Sequence, residues 1–133
     1  MRQAQGCQDI ERFSPGELFS EGVRYGGVLF LSGQVAHQRP DAPFEAQLGE
    51  VLSHVHSLLE AGNSSRDRLL TALIHVAATD HVEALNRIWG EWLPRGASPA
   101  RTTVISPLVA PQYLVEITIT AAVLKSSEAA TDG

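Results

Sequence analysis

The chain has 133 residues, of which 44% are hydrophobic and 19% charged, with a formal net charge of −5. That length suits one domain with a real core, and the composition is that of a globular protein rather than a disordered one. The acidic balance argues against non-specific attraction to nucleic acid or to an anionic membrane surface, although a local basic groove stays open.

Residues 1–12 are polar and unpatterned and read as a loose lead-in, with no apolar stretch of the signal-peptide kind. The single cysteine, Cys7, leaves no partner for an intrachain disulfide and reads as a free thiol. Residues 125–133, "KSSEAATDG", read as a frayed tail, so one domain is expected over 13–124. No apolar run approaches the ~18 residues that cross a bilayer, and a reducing, cytoplasmic setting is the default expectation.

Two β-leaning stretches flank Gly26-Gly27, a pair able to supply the positive φ angles of a tight hairpin. The second, residues 28–35, is interrupted by Ser32-Gly33, and glycine inside a strand marks a bulge or a close approach to the backbone. Residues 44–61 carry Leu48, Val51, Leu52, Val55, Leu58 and Leu59 on one helical face, with Gly62 as the stop. The stretch 69–77 is almost continuously apolar and predicts a strand covered on both faces.

A second helix is predicted from about His81 to Trp92, with Val82, Leu85, Ile88, Trp89 and Trp92 inward, Asp80 as N-cap, and Pro94 and Gly96 beyond its end. Strands over 101–106 and 113–124 complete the chain; in the latter, Leu114, Glu116, Thr118 and Thr120 alternate with Tyr113, Val115, Ile117 and Ile119. The predicted order is β-β-α-β-α-β-β, an α+β fold with a mixed sheet and both helices on one face. The other face lacks a cover, which a homo-oligomer would supply.

The histidines His37, His54, His56, His75 and His81 show no zinc pattern. His54 and His56 point ~200° apart on one helix, and no histidine is seen to have an i, i+4 companion or a nearby cysteine pair, so no metal is expected. Nucleophile elbows, phosphate-binding glycine loops and basic, aromatic-rich surfaces are also missing from the pattern. What stands out is a set of polar residues in apolar strands: Ser32, Arg101, Thr103 and Glu116. Arg101 alone reads as a surface cation, yet its planar fork also fits a carboxylate. Glu116, inside "YLVEITITAAV", is a solvated carboxylate, the partner of Arg101 in a buried pair, or a proton carrier.

"PARTTV", followed by "LVEI" with Glu116 fifteen residues after Arg101, resembles the signature of the reactive intermediate deaminase family, RidA/YjgF/UK114. So do "GGVLFLSGQVA" and the helix–strand–helix run that contains "ALNRIW". The resemblance spans about residues 13–124. It implies a chorismate-mutase-like homotrimer with clefts between subunits, hydrolysing enamines and imines such as 2-aminoacrylate to 2-keto acids and ammonia, without metal or organic cofactor. By position, it implies that Arg101 holds the substrate carboxylate and Glu116 orients water or moves the proton. Ser32 and Gly33 would line the cleft, with Thr103 and Asn86 nearby. Phe19 falls where well-studied members carry a tyrosine, and Thr103 where several carry cysteine. Two other readings stay open: a non-enzymatic keto-acid sensor using the same cleft, and the ribonuclease activity ascribed to some relatives, against which the acidic balance counts.

Overall fold

A computed structural model describes residues 9–125. The segments 1–8 and 126–133, which hold Cys7, two thirds of the expected lead-in and all of the expected tail but Lys125, lie outside the described residues. Six strands form one sheet: β1 (Glu11–Pro15), β2 (Ser20–Tyr25), β3 (Val28–Leu31), β4 (Leu69–Val76), β5 (Ala100–Ile105) and β6 (Val115–Ala122), in the spatial order β1-β2-β3-β6-β4-β5. All neighbours are antiparallel except β4 and β5, which run parallel and are joined through a helix. The sheet is therefore mixed, with β1 and β5 at its edges.

The element order is β-β-β-α-β-α-β-β, one strand more than the sequence pattern predicts. β1 begins at Glu11, inside the stretch read as lead-in. It is an exposed edge strand without hydrophobic alternation, so burial leaves no mark in its sequence. Arg24 of β2 holds it, through a 2.6 Å ion pair to Glu11 and a guanidinium 5.3 Å over the Phe13 ring. Gly26 and Gly27 have φ of +61° and +90°, the positive pair that the β2–β3 hairpin turn requires.

Helix α1 (Phe44–Ala61) forms where the apolar spacing predicts, burying Leu48, Val51, Leu52, Val55 and Leu59. Gly62 does not end it through backbone freedom, because its φ is −90°. The residue in left-handed conformation is Asn63, at φ 62°, and Ser64 N–H then returns to the Leu59 carbonyl. Gly62 is needed for space: a Cβ there would sit 2.5 Å from Leu29 Cδ2, in the core. Helix α2 (Val82–Trp92) follows a 3₁₀ turn over Thr79–His81. Asp80 lies within that turn, and the N-cap position falls on His81, with no side-chain capping bond. Leu85 and Trp89 are buried, while Val82, Ile88 and Trp92 are partly buried against the core.

All the core sits on one sheet face. Ala72, Ile74 and Val76 of β4 and Val115, Ile117, Ile119 and Ala121 of β6 are buried in one cluster with the inward residues of both helices. β4 is thus covered on one face only within the chain. Its alternate residues, such as Leu73 at 39% exposure, lie on the open face with Phe30 and Tyr25. The cover that the sequence pattern leaves missing from this face is thus not supplied by any described residue of the chain.

One buried polar side chain went unnoticed in the helical pattern. Gln47, fully buried on α1, donates to the carbonyls of Pro40, Ala42 and Gln112, and its Oε1 accepts the Leu114 N–H at 2.9 Å. It joins two loops that enter α1 and β6. Gln47→Leu removes all four contacts and leaves buried backbone groups unpaired, so it is expected to lower stability by ~2–4 kcal/mol in chemical denaturation. A loss below ~0.5 kcal/mol would show that these loops do not depend on it.

Candidate functional site

The two charged residues singled out by the sequence lie on different faces of the sheet. Paired residues in neighbouring strands share a face. Arg101 and Thr103 pair with Ala72 and Ile74, which are buried under the helices, so both stand on the helix side of β5. Glu116 pairs with His75 and stands on the open side of β6. With β4 between their strands, the two backbones are also ~10 Å apart laterally. Within one chain they do not form the buried ion pair that was one reading of Glu116.

On the helix side, Arg101 Nη2 donates to Asn86 Oδ1 of α2 at 2.8 Å. A neutral amide thus fixes the guanidinium without neutralising it. Arg101 makes no ion pair among the described residues. Partial burial lowers its pKa from the ordinary arginine value, but an arginine of this kind keeps its charge. Two residues along, Thr103 Oγ1 is buried with no hydrogen-bond partner, a group that a ligand atom or water would satisfy. Asn86, Arg101 and Thr103 therefore form one polar cluster at the sheet edge.

On the open side, Glu116 packs directly on Gly33. A Cβ at that position would come within 2.5 Å of Glu116 Oε2 and 2.8 Å of its Cδ. This is the close approach that glycine inside a strand-like run foretells. Glu116 has no hydrogen-bond or ion-pair partner among the described residues. Ser32 precedes the glycine, its N–H donating to the Glu21 carbonyl at 3.0 Å and its hydroxyl accepting from Gln34 Nε2 at 3.3 Å. The same β2 segment leads back to Phe19, 65% exposed at the β1–β2 turn beside a hollow of about 440 Å³. The predicted site residues thus divide into Phe19, Ser32, Gly33 and Glu116 on one part of the molecule, and Asn86, Arg101 and Thr103 on another.

A larger hollow of about 520 Å³ lies between α1 and α2, lined by Leu52, Ser53, His56, Arg66, Ile88 and Trp92 among others. It includes none of these residues. Its arginine is engaged by the Trp92 carbonyl at 3.0 Å and by the Trp92 ring. Spacing between histidines alone does not show that Glu50 and His54 form an i, i+4 pair on α1. The structure adds His37 to that pair.

The fold and its polar clusters define a small α+β domain of the YjgF type, and comparison with known proteins agrees. The pattern of the family described as Endoribonuclease L-PSP matches residues 10–123. A RutC family protein of Haemophilus ducreyi is 32% identical over 114 residues, 86% of this chain and 97% of that protein. The RutC family protein YoaB of Escherichia coli K12 is 33% identical over 114 residues, covering 86% and 98%. The crystal structure of a YjgF family member from Neisseria meningitidis superposes with a TM-score of 0.84 at 30% identity, covering 90% of this chain and 99% of that one. This chain belongs to the RidA/YjgF/UK114 family.

Gly33→Ala tests the packing of the carboxylate directly. The new methyl group is expected to push the Glu116 carboxylate away by ~1 Å, since contacts below ~3.5 Å between such atoms are repulsive. A crystal structure of the variant with Glu116 unmoved would contradict this.

Proposed function

We propose that this protein is an enamine and imine deaminase that converts small carboxylated reactive intermediates, of the 2-aminoacrylate and 2-iminopropionate type, to 2-keto acids and ammonia. The observation that carries the reading is the division of the polar residues. An unneutralised guanidinium held by Asn86 and an unpartnered carboxylate held against Gly33 face different ways in one chain. They become one site only when two subunits meet. Family membership and the exposed aromatic and aliphatic groups of the open sheet face support the same arrangement, a homotrimer with sites between subunits, in a cytoplasmic setting.

The chemistry asks little beyond placement. Arg101 binds the substrate carboxylate through its donor fork, with Asn86 fixing the plane. Glu116 of the neighbouring subunit orients a water and takes its proton as oxygen attacks the imine carbon. That proton passes to nitrogen to give the carbinolamine; its hydroxyl proton then moves, by way of Glu116, to the amine, the O–H electron pair closes the keto double bond, and ammonia leaves with the C–N electron pair. Water supplies the keto oxygen, so no redox partner, metal or organic cofactor takes part. The unpaired Thr103 hydroxyl supplies one further polar contact. Phe19 offers an aromatic wall without a phenolic donor, which favours apolar substituents on the substrate.

Ammonia release from imines generated in situ by an amino-acid oxidase tests the reading. Arg101→Ala is expected to lower kcat/KM by ~100-fold or more, the loss of a charged, bidentate contact. Glu116→Gln is expected to lower kcat while keto-acid binding persists. Retained turnover in Arg101→Ala would refute the anchoring role. Saturable keto-acid binding with no ammonia from any imine would select the alternative, a non-enzymatic sensor using the same cleft. RNA cleavage abolished by the same two substitutions would select a ribonuclease.

Placement between subunits has its own test. Co-assembled Arg101→Ala and Glu116→Gln chains, each inactive alone, are expected to recover about a quarter of wild-type activity, because a random cyclic mixture restores both groups at one interface in four. No recovery in verified mixed oligomers would place both groups in a site built by one chain or by a different interface.

A further inference from the structure

A second cluster of chemistry-bearing side chains shares no residue with either half of the proposed cleft. Glu50 and His54 stand one turn apart on α1, with His54 Nε2 2.8 Å from Glu50 Oε2. The carboxylate is fixed by the turn that precedes the helix: Gln38 N–H donates to Oε2 at 2.9 Å and Arg39 N–H to Oε1 at 3.1 Å. Those bonds draw the turn onto α1 and lay the His37 ring over His54, with centroids 4.6 Å apart and planes within 8°. One donor atom from each of His37, Glu50 and His54 then lies within 4.8 Å of the others.

We infer that His37, Glu50 and His54 form a binding site for a divalent transition-metal ion of the zinc, cobalt or nickel class. Two imidazoles and a carboxylate are the donor set these ions take, with bonds of ~2.0–2.2 Å. Two of the three donors already stand at nearly the separation that such bonds require. His37, exposed on its turn, closes the third by rotating its side chain. Glu50 is held in place as a ligand by geometry, with the Gln38 N–H on Oε2 and the Arg39 N–H on Oε1. Its two backbone bonds also serve as the outer contacts that keep a ligating carboxylate oriented.

A pocket of about 200 Å³ adjoins the cluster, lined by Glu21, Gln34, His37, His54, Ser57 and Leu58. Three protein ligands beside such a space leave a coordination position for water or a small anion. The cation would also clasp the 37–39 turn to α1. Imine hydrolysis as described above makes no use of it, so this site and that activity stand or fall separately.

The experiment uses the full-length chain, free of any affinity tag and stripped with chelator, titrated with Zn²⁺ and with Co²⁺. The expected result is one ion per chain by calorimetry, a raised Tm, and visible absorption from the cobalt form with the intensity of a four- or five-coordinate centre. His37→Ala and His54→Ala are each expected to weaken binding by ~100-fold and to remove the Tm shift. His56→Ala and His75→Ala are expected to leave both unchanged. Should His54→Ala fail to fold, as judged by circular dichroism, His54→Gln keeps a hydrogen bond to Glu50 while removing the imidazole. Absence of saturable binding, or binding that survives loss of both His37 and His54, overturns the inference.

Discussion

The two-residue period of β6 is the constraint on which the rest of the molecule depends. This strand lies between β3 and β4, so its register joins the antiparallel N-terminal part of the sheet to the parallel β4–β5 pair. Val115, Ile117, Ile119 and Ala121 go under the helices, and Glu116, Thr118 and Thr120 go out. A slip of one residue would bury a carboxylate and two hydroxyls and expose four core side chains, which makes the register steeply favoured. The position of Glu116 is therefore set by core packing. The carboxylate gains its place on the open face from the hydrophobic demands of its neighbours.

The same alternation keeps the two charges of the proposed site from neutralising each other within one chain. Had Arg101 and Glu116 met inside one chain, they would form a part-buried ion pair, whose mutual attraction would compete with any substrate. Instead the guanidinium rests on a neutral amide, and the carboxylate rests on a glycine that offers no donor side chain. Both keep unspent hydrogen-bonding capacity. A cleft built from two such halves has its attractive groups ready before the ligand arrives, and needs no local bond to break first.

Much of this was legible in the sequence, and the physical reason differs from residue to residue. α1 was readable from residue 44 to 61 because a half-buried helix writes its burial into a 3.6-residue spacing. The faces of β6 were readable for the corresponding reason in strands. Gly33 announced a close approach, though the atom it approaches, Glu116, is eighty-three residues away and no local pattern names it. β1 was missed because an exposed edge strand has no apolar rhythm, and Gln47 because a polar residue on a buried face looks like noise until its partners are seen. The placement of Arg101 and Glu116 on opposite faces needed the parallel register of β4 and β5, which spacing along the chain does not encode. The roles proposed for these residues rest on family resemblance, and physics alone leaves Arg101 a surface cation.

The two edges of the sheet carry a consequence for colloidal behaviour. β5 is six residues long, with Pro99 just before it and Pro107 two residues beyond its end. β1 is five residues long, ends at Pro15, and has Ser14 at a φ of 49°. A further strand seeking to extend either border would meet a short ladder, flanked by residues that lack an amide proton or twist away from the pleat. Cross-β growth is thus discouraged at both ends of a molecule that exposes aromatic and aliphatic groups on one sheet face. Association of copies through that face can satisfy itself and stop, whereas stacking along the borders would run on into fibrils.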